Sequence, residues 1–380
     1  MTEFTEEDRR LLADGIEGTL ATIGAAGSSV GGYPEQNAKI WSDLAELGVM
    51  ALPFAEEYNG LALDWLEIGT VMKSLGRFAS VEPYLPNVVL AGGIISRSDG
   101  TDLKGKLLPA LATGSIRMAV AFSEPESRYQ PDHISTTAAT SSDGFVLSGH
   151  KALVLGAPQA STIIVTARTS DDRDKDELSF FLIDAGAPGV TIKDYFTIDG
   201  RPAAELLLDK VRVTTADRIA VAGSGRAVLE AVLDEATLAA CWESVGAMER
   251  LNELTLEHCK ERVAFGQPLS KLQVVQHRLV DMHVAIEHAA AMTLTASESL
   301  TLPASERAMQ VSAAKSTVAK EGLFIGEAAV QLHGAGGTTE DLDVGRYYKR
   351  ILVNNMIFGS RDHHLQRYLD LRMAGQEVRA

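Results

Sequence analysis

A carboxylate set among small side chains can accept a proton from whatever packs closely against them, and Glu243 occupies such a setting. At helical spacing Ala236, Ala239, Ala240, Glu243, Gly246 and Ala247 share one face, while Leu238, Trp242, Val245 and Met248 share another. The pattern suits a solvated charge or a helix-packing partner as well as a base, and spacing alone leaves these readings open. Further along, Arg262-x-x-Phe265-Gly266-x-Pro268-Leu269-x-x-x-Gln273 joins a guanidinium, an aromatic ring and a helix stop. A guanidinium grips phosphate in a fork, although one near a helix end also complements the helix dipole. Gln331, His333, Gly334, Ala335, Gly336 and Gly337 form a third cluster, whose backbone N–H groups suit a phosphate and whose glycines equally suit a helix end. A helix rather than a strand precedes it, so it is not a dinucleotide fingerprint of the βαβ type.

The elements that must carry these groups follow from periodicity. Thr5, Glu6, Glu7 and Asp8 read as a capping box that opens a first helix through Leu11, Leu12 and Ile16. The glycine- and serine-rich stretch 23–34 reads as a surface loop. Helices then place Ile40, Trp41, Leu44 and Leu47 before Gly48, and Trp65, Ile68, Met72 and Leu75 before Gly76, each glycine serving as a C-terminal cap. Two more are expected over 88–97 and 102–112. From about Ile116 the pattern turns to short β-rich runs over 118–123, 145–148, 162–168, 178–183, 190–193, 206–208 and 211–213. The stretch 220–225 is a linker, after which helical runs are expected to Ala264, over 268–300 and 303–332, and as a pair after Asp343. The fold class is therefore α+β: an N-terminal helical domain (1–115), a middle β-barrel or sandwich (116–219) and a C-terminal long-helix bundle (220–380).

Composition narrows the function classes. The 380 residues are 46% hydrophobic, enough for a full core. Against 51 acidic side chains stand 35 Lys and Arg, a formal charge of −16 that makes nucleic acid and anionic membrane poor partners. Cys241 and Cys259 share one helix without metal-ligand spacing, and the nine histidines form no metal set. No apolar targeting segment opens the chain, so the cytoplasm is the expected compartment and no metal is expected.

The Arg-x-x-Phe-Gly-x-Pro element, together with nearly the whole helix–sheet–helix order, resembles the acyl-CoA dehydrogenase family. In that family the flavin lies between the β domain and the C-terminal helices, and a second subunit completes its adenine end. The resemblance implies FAD as cofactor, with Arg262 on its pyrophosphate and Phe265 on its adenine. The segment Phe122-Ser123-Glu124-Pro125 resembles the family's aromatic-Thr-Glu-Pro run along the flavin ring, with Ser123 keeping the hydroxyl. Gln331, Gly334 and Ala335 match the turn that reaches the pyrophosphate of a neighbouring subunit. Gly149-His150-Lys151-Ala152-Leu153-Val154 resembles a strand whose Trp and Thr are here Ala152 and Val154, so the Val154 N–H remains as a flavin contact and the acyl cavity is expected to be wider. Where the family continues Gly-Ala-Gly-Ser-Asp, this chain has Glu126, Ser127, Arg128, Tyr129 and Gln130, and Arg128 becomes a candidate for the CoA phosphate.

The largest departure falls at the loop Ile357-Phe358-Gly359-Ser360, which matches a Tyr-Glu-Gly-Thr loop whose Glu is the family's base. A phenyl ring takes no proton, but the Phe358 N–H still serves as a donor to the substrate carbonyl, and Ser360 matches the cofactor-binding Thr. A branch of the family carries its acid on the long helix, and here Glu243 precedes Arg262 by 262 minus 243, or 19 residues, as it does there. Glu243 is thus the expected base, with Glu235 as the fallback. The resemblance implies an FAD-dependent acyl-CoA dehydrogenase of the β-oxidation type, desaturating a CoA thioester with a bulky or steroid-side-chain acyl group. Its partners would be an acyl-CoA substrate, an electron-transfer partner and further chains, in a homo-oligomer or a heterotetramer with a paralogous chain. The rival is a non-catalytic partner subunit of such an assembly. An oxidase would differ only in oxygen access.

Overall fold

The computed structural model describes residues 4–21, 35–131, 133–169, 178–221 and 224–377. The expected loop at 23–34 and part of the expected linker at 220–225 lie outside these residues.

The first third is helical: α1 (Glu6–Ala21), α2 (Glu35–Glu46), α3 (Trp65–Arg77), α4 (Gly92–Ser96) and α5 (Thr101–Ala112). The capping box at Thr5 is formed, since its N–H donates to the Asp8 carboxylate and its Oγ accepts from the Asp8 N–H. Gly48 follows α2 with φ +77°, the left-handed setting expected of a helix stop. Gly76 does not cap α3. It lies inside the helix, where an added Cβ would come 2.0 Å from the Glu243 carbonyl oxygen. Its missing side chain serves close packing, not a turn.

The middle strands are β1 (Met118–Ala121), β2 (Thr137–Ser141), β3 (Gly144–Leu155), β4 (Thr162–Arg168), β5 (Leu178–Asp184), β6 (Val190–Phe196), β7 (Pro202–Thr214) and β8 (Arg218–Ile219). They form one eight-stranded sheet in the order β6-β7-β3-β2-β4-β5-β8, with β1 parallel to β4. β2 meets β4 at one pair, Thr137 opposite Arg168, and strands on both sides of that pair give apolar side chains to one core. Leu147 and Leu206 from one half meet Ile163 and Phe181 from the other. β2 has no expected counterpart in the sequence, because Thr-Ala-Ala-Thr-Ser carries too little bulk to read as a strand.

Five helices complete the chain: α6 (Gly225–Glu261), α7 (Gln273–Glu298), α8 (Ala304–His333), α9 (Val344–Met356) and α10 (Arg361–Glu377). The order helical, sheet, helical is the one expected. Contacts group the elements into two compact units, one holding α1, α3 and the chain from Thr237 onward, the other holding α2, α4, α5 and the sheet. In the helical unit α6 is buried on every side from Thr237 to Met248, apart from half-buried Trp242, so the bulky and small faces are both interior. The small face admits α3: a Cβ on Gly246 would stand 1.9 Å from the Lys73 carbonyl oxygen. Cys241 and Cys259 are buried free thiols. Among the described residues no helix is long and apolar enough to cross a membrane.

Candidate functional site

In the sheet unit the segment Phe122–Pro125 leaves β1 and is anchored through Glu124. Its carboxylate accepts from the Lys151 ammonium at 2.7 Å and from the N–H groups of Ser135 at 2.6 Å and Thr136 at 3.0 Å. Lys151 is fully buried and also donates to Thr166 Oγ1 at 3.0 Å. Burial alone would raise the Glu124 carboxyl, but the Lys151 charge and these donors outweigh it and hold it below the usual carboxylate range. Burial pushes the Lys151 ammonium down to about 8, against the pull of Glu124. The pair is ionic at neutral pH and fixes the main chain on either side of it. One residue beyond Lys151 the β3–β7 register shifts, Leu153 takes φ +52°, and the Ala152 N–H donates to the Ser123 carbonyl at 2.9 Å. Phe122 and Ser123 are half-buried beside this bulge. The Val154 side chain joins the sheet core, and Leu153 is the exposed residue. Ser127 closes a turn on Glu124, which leaves Arg128 exposed with φ +48°.

In the helical unit Glu243 is not solvated. Its Oε1 accepts from Arg350 Nη1 at 2.6 Å, and both side chains are buried. Arg350 also donates to the carbonyls of Ser80 at 2.6 Å and Ala79 at 3.2 Å, where the chain leaves α3. The pair therefore ties α6, α9 and the end of α3 together. Glu235, the alternative acid, lies in the sheet unit and accepts from Arg97 at 2.5 Å. Both candidate acids on α6 have an arginine partner.

The loop after α9 is held from beneath. The fully buried Lys315 ammonium donates to the carbonyls of Asn354 and, at 3.1 Å, Ile357. His364 Nε2 lies 3.2 Å from the Phe358 carbonyl, and its Nδ1 lies 3.2 Å from Ser312 Oγ. Phe358 takes φ +59° and Gly359 φ +128°, and a Cβ on Gly359 would meet His364 Nε2 at 2.5 Å. Ser360 precedes α10, and its Oγ accepts from the His363 N–H at 3.4 Å, the pattern of an N-cap.

The expected helix to Ala264 stops at Glu261, because residues 263–268 form a tight hairpin with Ala264 opposite Gln267. Phe265 (φ +54°) and Gly266 (φ +77°) are its two central residues, the left-handed pair of a type I′ turn. The Phe265 ring is 90% exposed, and Arg262 is exposed beside it. One turn earlier His258 stacks on His333 with ring centroids 4.3 Å apart, which brings the end of α6 to the turn Gly334–Thr338. Gln331, Gly334 and Ala335 are exposed there. Burial, then His333 and Arg262, push the His258 imidazole below its usual range. Among the described residues no group of His, Cys, Asp or Glu could hold a metal ion.

Arg350 and Lys315 had no place in the sequence reading, and His364 counted there only among histidines that form no metal set. The signal for Lys315 was a charged residue within an apolar helical stripe, among Val311, Ala314, Val318 and Ala319; His364, with Arg361 and Arg367 three positions to either side, carried no such signal.

Three family models match in order: the acyl-CoA dehydrogenase N-terminal domain over residues 6–115, the middle domain over 119–211 and the C-terminal domain over 223–369. The probable acyl-CoA dehydrogenase YngJ of Bacillus subtilis is 28% identical over 355 residues, covering 90% of this chain and 92% of that protein. A solved structure of a glutaryl-CoA dehydrogenase from Mycobacterium smegmatis in complex with FADH2 superposes with a TM-score of 0.86 at 21% identity, covering 96% of this chain and 94% of the other. A variant of the Tcur3481-Tcur3483 steroid ACAD superposes with a TM-score of 0.83 at 25% identity, covering 97% and 99%.

Proposed function

The chain belongs to the acyl-CoA dehydrogenase family, and on that premise we propose that it desaturates a CoA thioester between the α and β carbons with FAD as cofactor. Residues in each of the two units suit that cofactor. Arg262, Gln331 and the glycine turn offer exposed donors to a pyrophosphate, Phe265 offers a free ring face to an adenine, and Phe122 and Ser123 are a fixed edge for a flat ring. When bound, FAD supplies the acceptor for the hydride that leaves the β carbon. The chain supplies the rest: a carboxylate for the α proton and hydrogen bonds for the thioester oxygen, where negative charge builds up.

Glu243 is the proposed base, and what supports the reading is its place as a buried carboxylate on the helix that leads into Arg262. Arg350 holds it in position. The Ala79 and Ser80 carbonyls also accept from Arg350, so the guanidinium keeps hydrogen-bond partners besides Glu243. Ala152, in place of a bulkier residue, supports a bulky or steroid-side-chain acyl group, as does the likeness to the steroid ACAD; the Val154 side chain, buried in the sheet core, does not bear on that cavity. An electron-transfer partner and an oligomeric assembly complete the reading.

The pairing of both candidate acids with arginines favours a second reading. With Glu243 on Arg350, Glu235 on Arg97 and Phe358 in the loop, the chain suits a partner subunit that helps hold the cofactor while another chain supplies the base. An anaerobic visible spectrum of the chain expressed alone separates the two. Bound flavin that bleaches with an acyl-CoA, and no longer bleaches in Glu243→Gln while remaining bound, supports the dehydrogenase. Colourless protein, or flavin that no thioester bleaches, supports the partner subunit.

A further inference from the structure

We propose that Lys315 and His364 are positioning residues which hold the loop 357–359 so that the N–H groups of Phe358 and Gly359 face the thioester oxygen; the role rests on the desaturation reading above. No described peptide bond is cis, so each carbonyl points away from the N–H of the following residue. Lys315 draws the Ile357 carbonyl inward, which turns the Phe358 N–H outward. His364 draws the Phe358 carbonyl inward, which turns the Gly359 N–H outward. Two successive N–H groups facing one way make an anion-binding concavity, and the left-handed φ of Phe358 is the backbone setting that aligns them.

The hydrogen-bond chain behind His364 fixes the direction of every donor. A carbonyl only accepts, so Nε2 carries the proton toward Phe358. Nδ1 then accepts from the Ser312 hydroxyl, and Ser312 Oγ accepts in turn from Arg367 Nη1 at 3.4 Å. The imidazole is neutral in this arrangement; burial, with Lys315, His363 and Arg367 nearby, pushes it down to about 2. Gly359 leaves His364 room to reach the loop. None of these contacts uses the side chain of residue 358. Replacing the family's acid by a phenyl ring removes the carboxylate and leaves the main-chain donors in place.

The test uses an arylacryloyl-CoA, whose absorption moves to the red when its carbonyl accepts hydrogen bonds. Flavin-loaded wild-type protein is expected to bind it with a red shift. In Lys315→Met and His364→Phe the thioester still binds, the shift shrinks, and kcat with a saturating substrate falls about tenfold to a hundredfold while KM moves little. Ser312→Ala, which removes the hydroxyl behind His364, shows a smaller loss of the same kind and stands in for any variant that does not fold. A full wild-type shift in the folded variants overturns the positioning role. A wild-type protein that binds no thioester overturns the substrate reading instead, and the role with it.

Discussion

Arg350 Nη1 lies 2.6 Å from Glu243 Oε1 with neither side chain open to solvent, while the same guanidinium holds two carbonyls at the end of α3. One ion pair thus sets the mutual placement of α3, α6 and α9. Arg350→Met is expected to cost about 3–5 kcal/mol, because it removes the guanidinium that a buried carboxylate faces. Glu243→Gln in the same background should recover part of that loss. Urea unfolding of the two single variants and the double variant measures the coupling, and additive effects would mean that the pair contributes nothing.

Glycines of one residue type divide sharply by surroundings. Gly246→Ala and Gly76→Ala would bring a methyl group within about 2 Å of a backbone carbonyl, so α3 and α6 must part. A loss of about 3 kcal/mol or more is expected for each. Gly105 lies in α5 with nothing within 4 Å of the added carbon. Gly105→Ala should stabilise the protein by up to about 1 kcal/mol. Thermal midpoints of the three variants, read against the wild type, check the contrast.

The helix–sheet–helix order was legible because the change of hydrophobic period at Ile116 is abrupt and the strand runs are rich in Val, Ile and Phe. β2 was not, since its pairing with β3 decides its conformation while its residues are small. Gly76 read as a helix stop because local sequence cannot tell a glycine that caps a helix from one that lets another backbone approach. Glu243 was found as a lone acid on a small-residue face. Its partner lies 107 positions away on α9, and a separation of that size leaves no local trace. Lys315 reaches Ile357 across 42 positions and His364 reaches Phe358 across only 6, but both contacts go to main-chain oxygens, which carry no residue identity at all.

Phe265 holds a left-handed conformation that an L side chain adopts at a cost of about 1–2 kcal/mol. Asn tolerates that setting, and Asn-Gly is the favoured type I′ pair. Phe265→Asn is therefore expected to raise the stability of the flavin-free protein by about 1 kcal/mol. It should also weaken flavin retention, because the exposed ring is the proposed adenine cover. Calorimetry of the apo-protein and flavin content after gel filtration read the two effects separately. Unchanged retention would show that the ring is kept for some other contact.

His364 gives the protein an acid limit whose sign follows from its direction of shift. An ordinary imidazole titrates near 6.5, and burial first, then Lys315, His363 and Arg367, bring this one down to about 2 in the fold. Between those values the unfolded chain holds a proton that the folded chain does not, so folding stability rises with pH there. The contribution is complete above pH 6.5 and is lost progressively as the pH falls toward 2. At pH 5 the loss amounts to about 2 kcal/mol. His364→Gln, which keeps a donor for the Phe358 carbonyl and cannot titrate, should flatten the stability profile between pH 6.5 and 5 by about that amount. Urea midpoints at those two pH values test it, and parallel profiles for variant and wild type would mean that His364 is charged in the fold and that the Ser312 contact runs the other way.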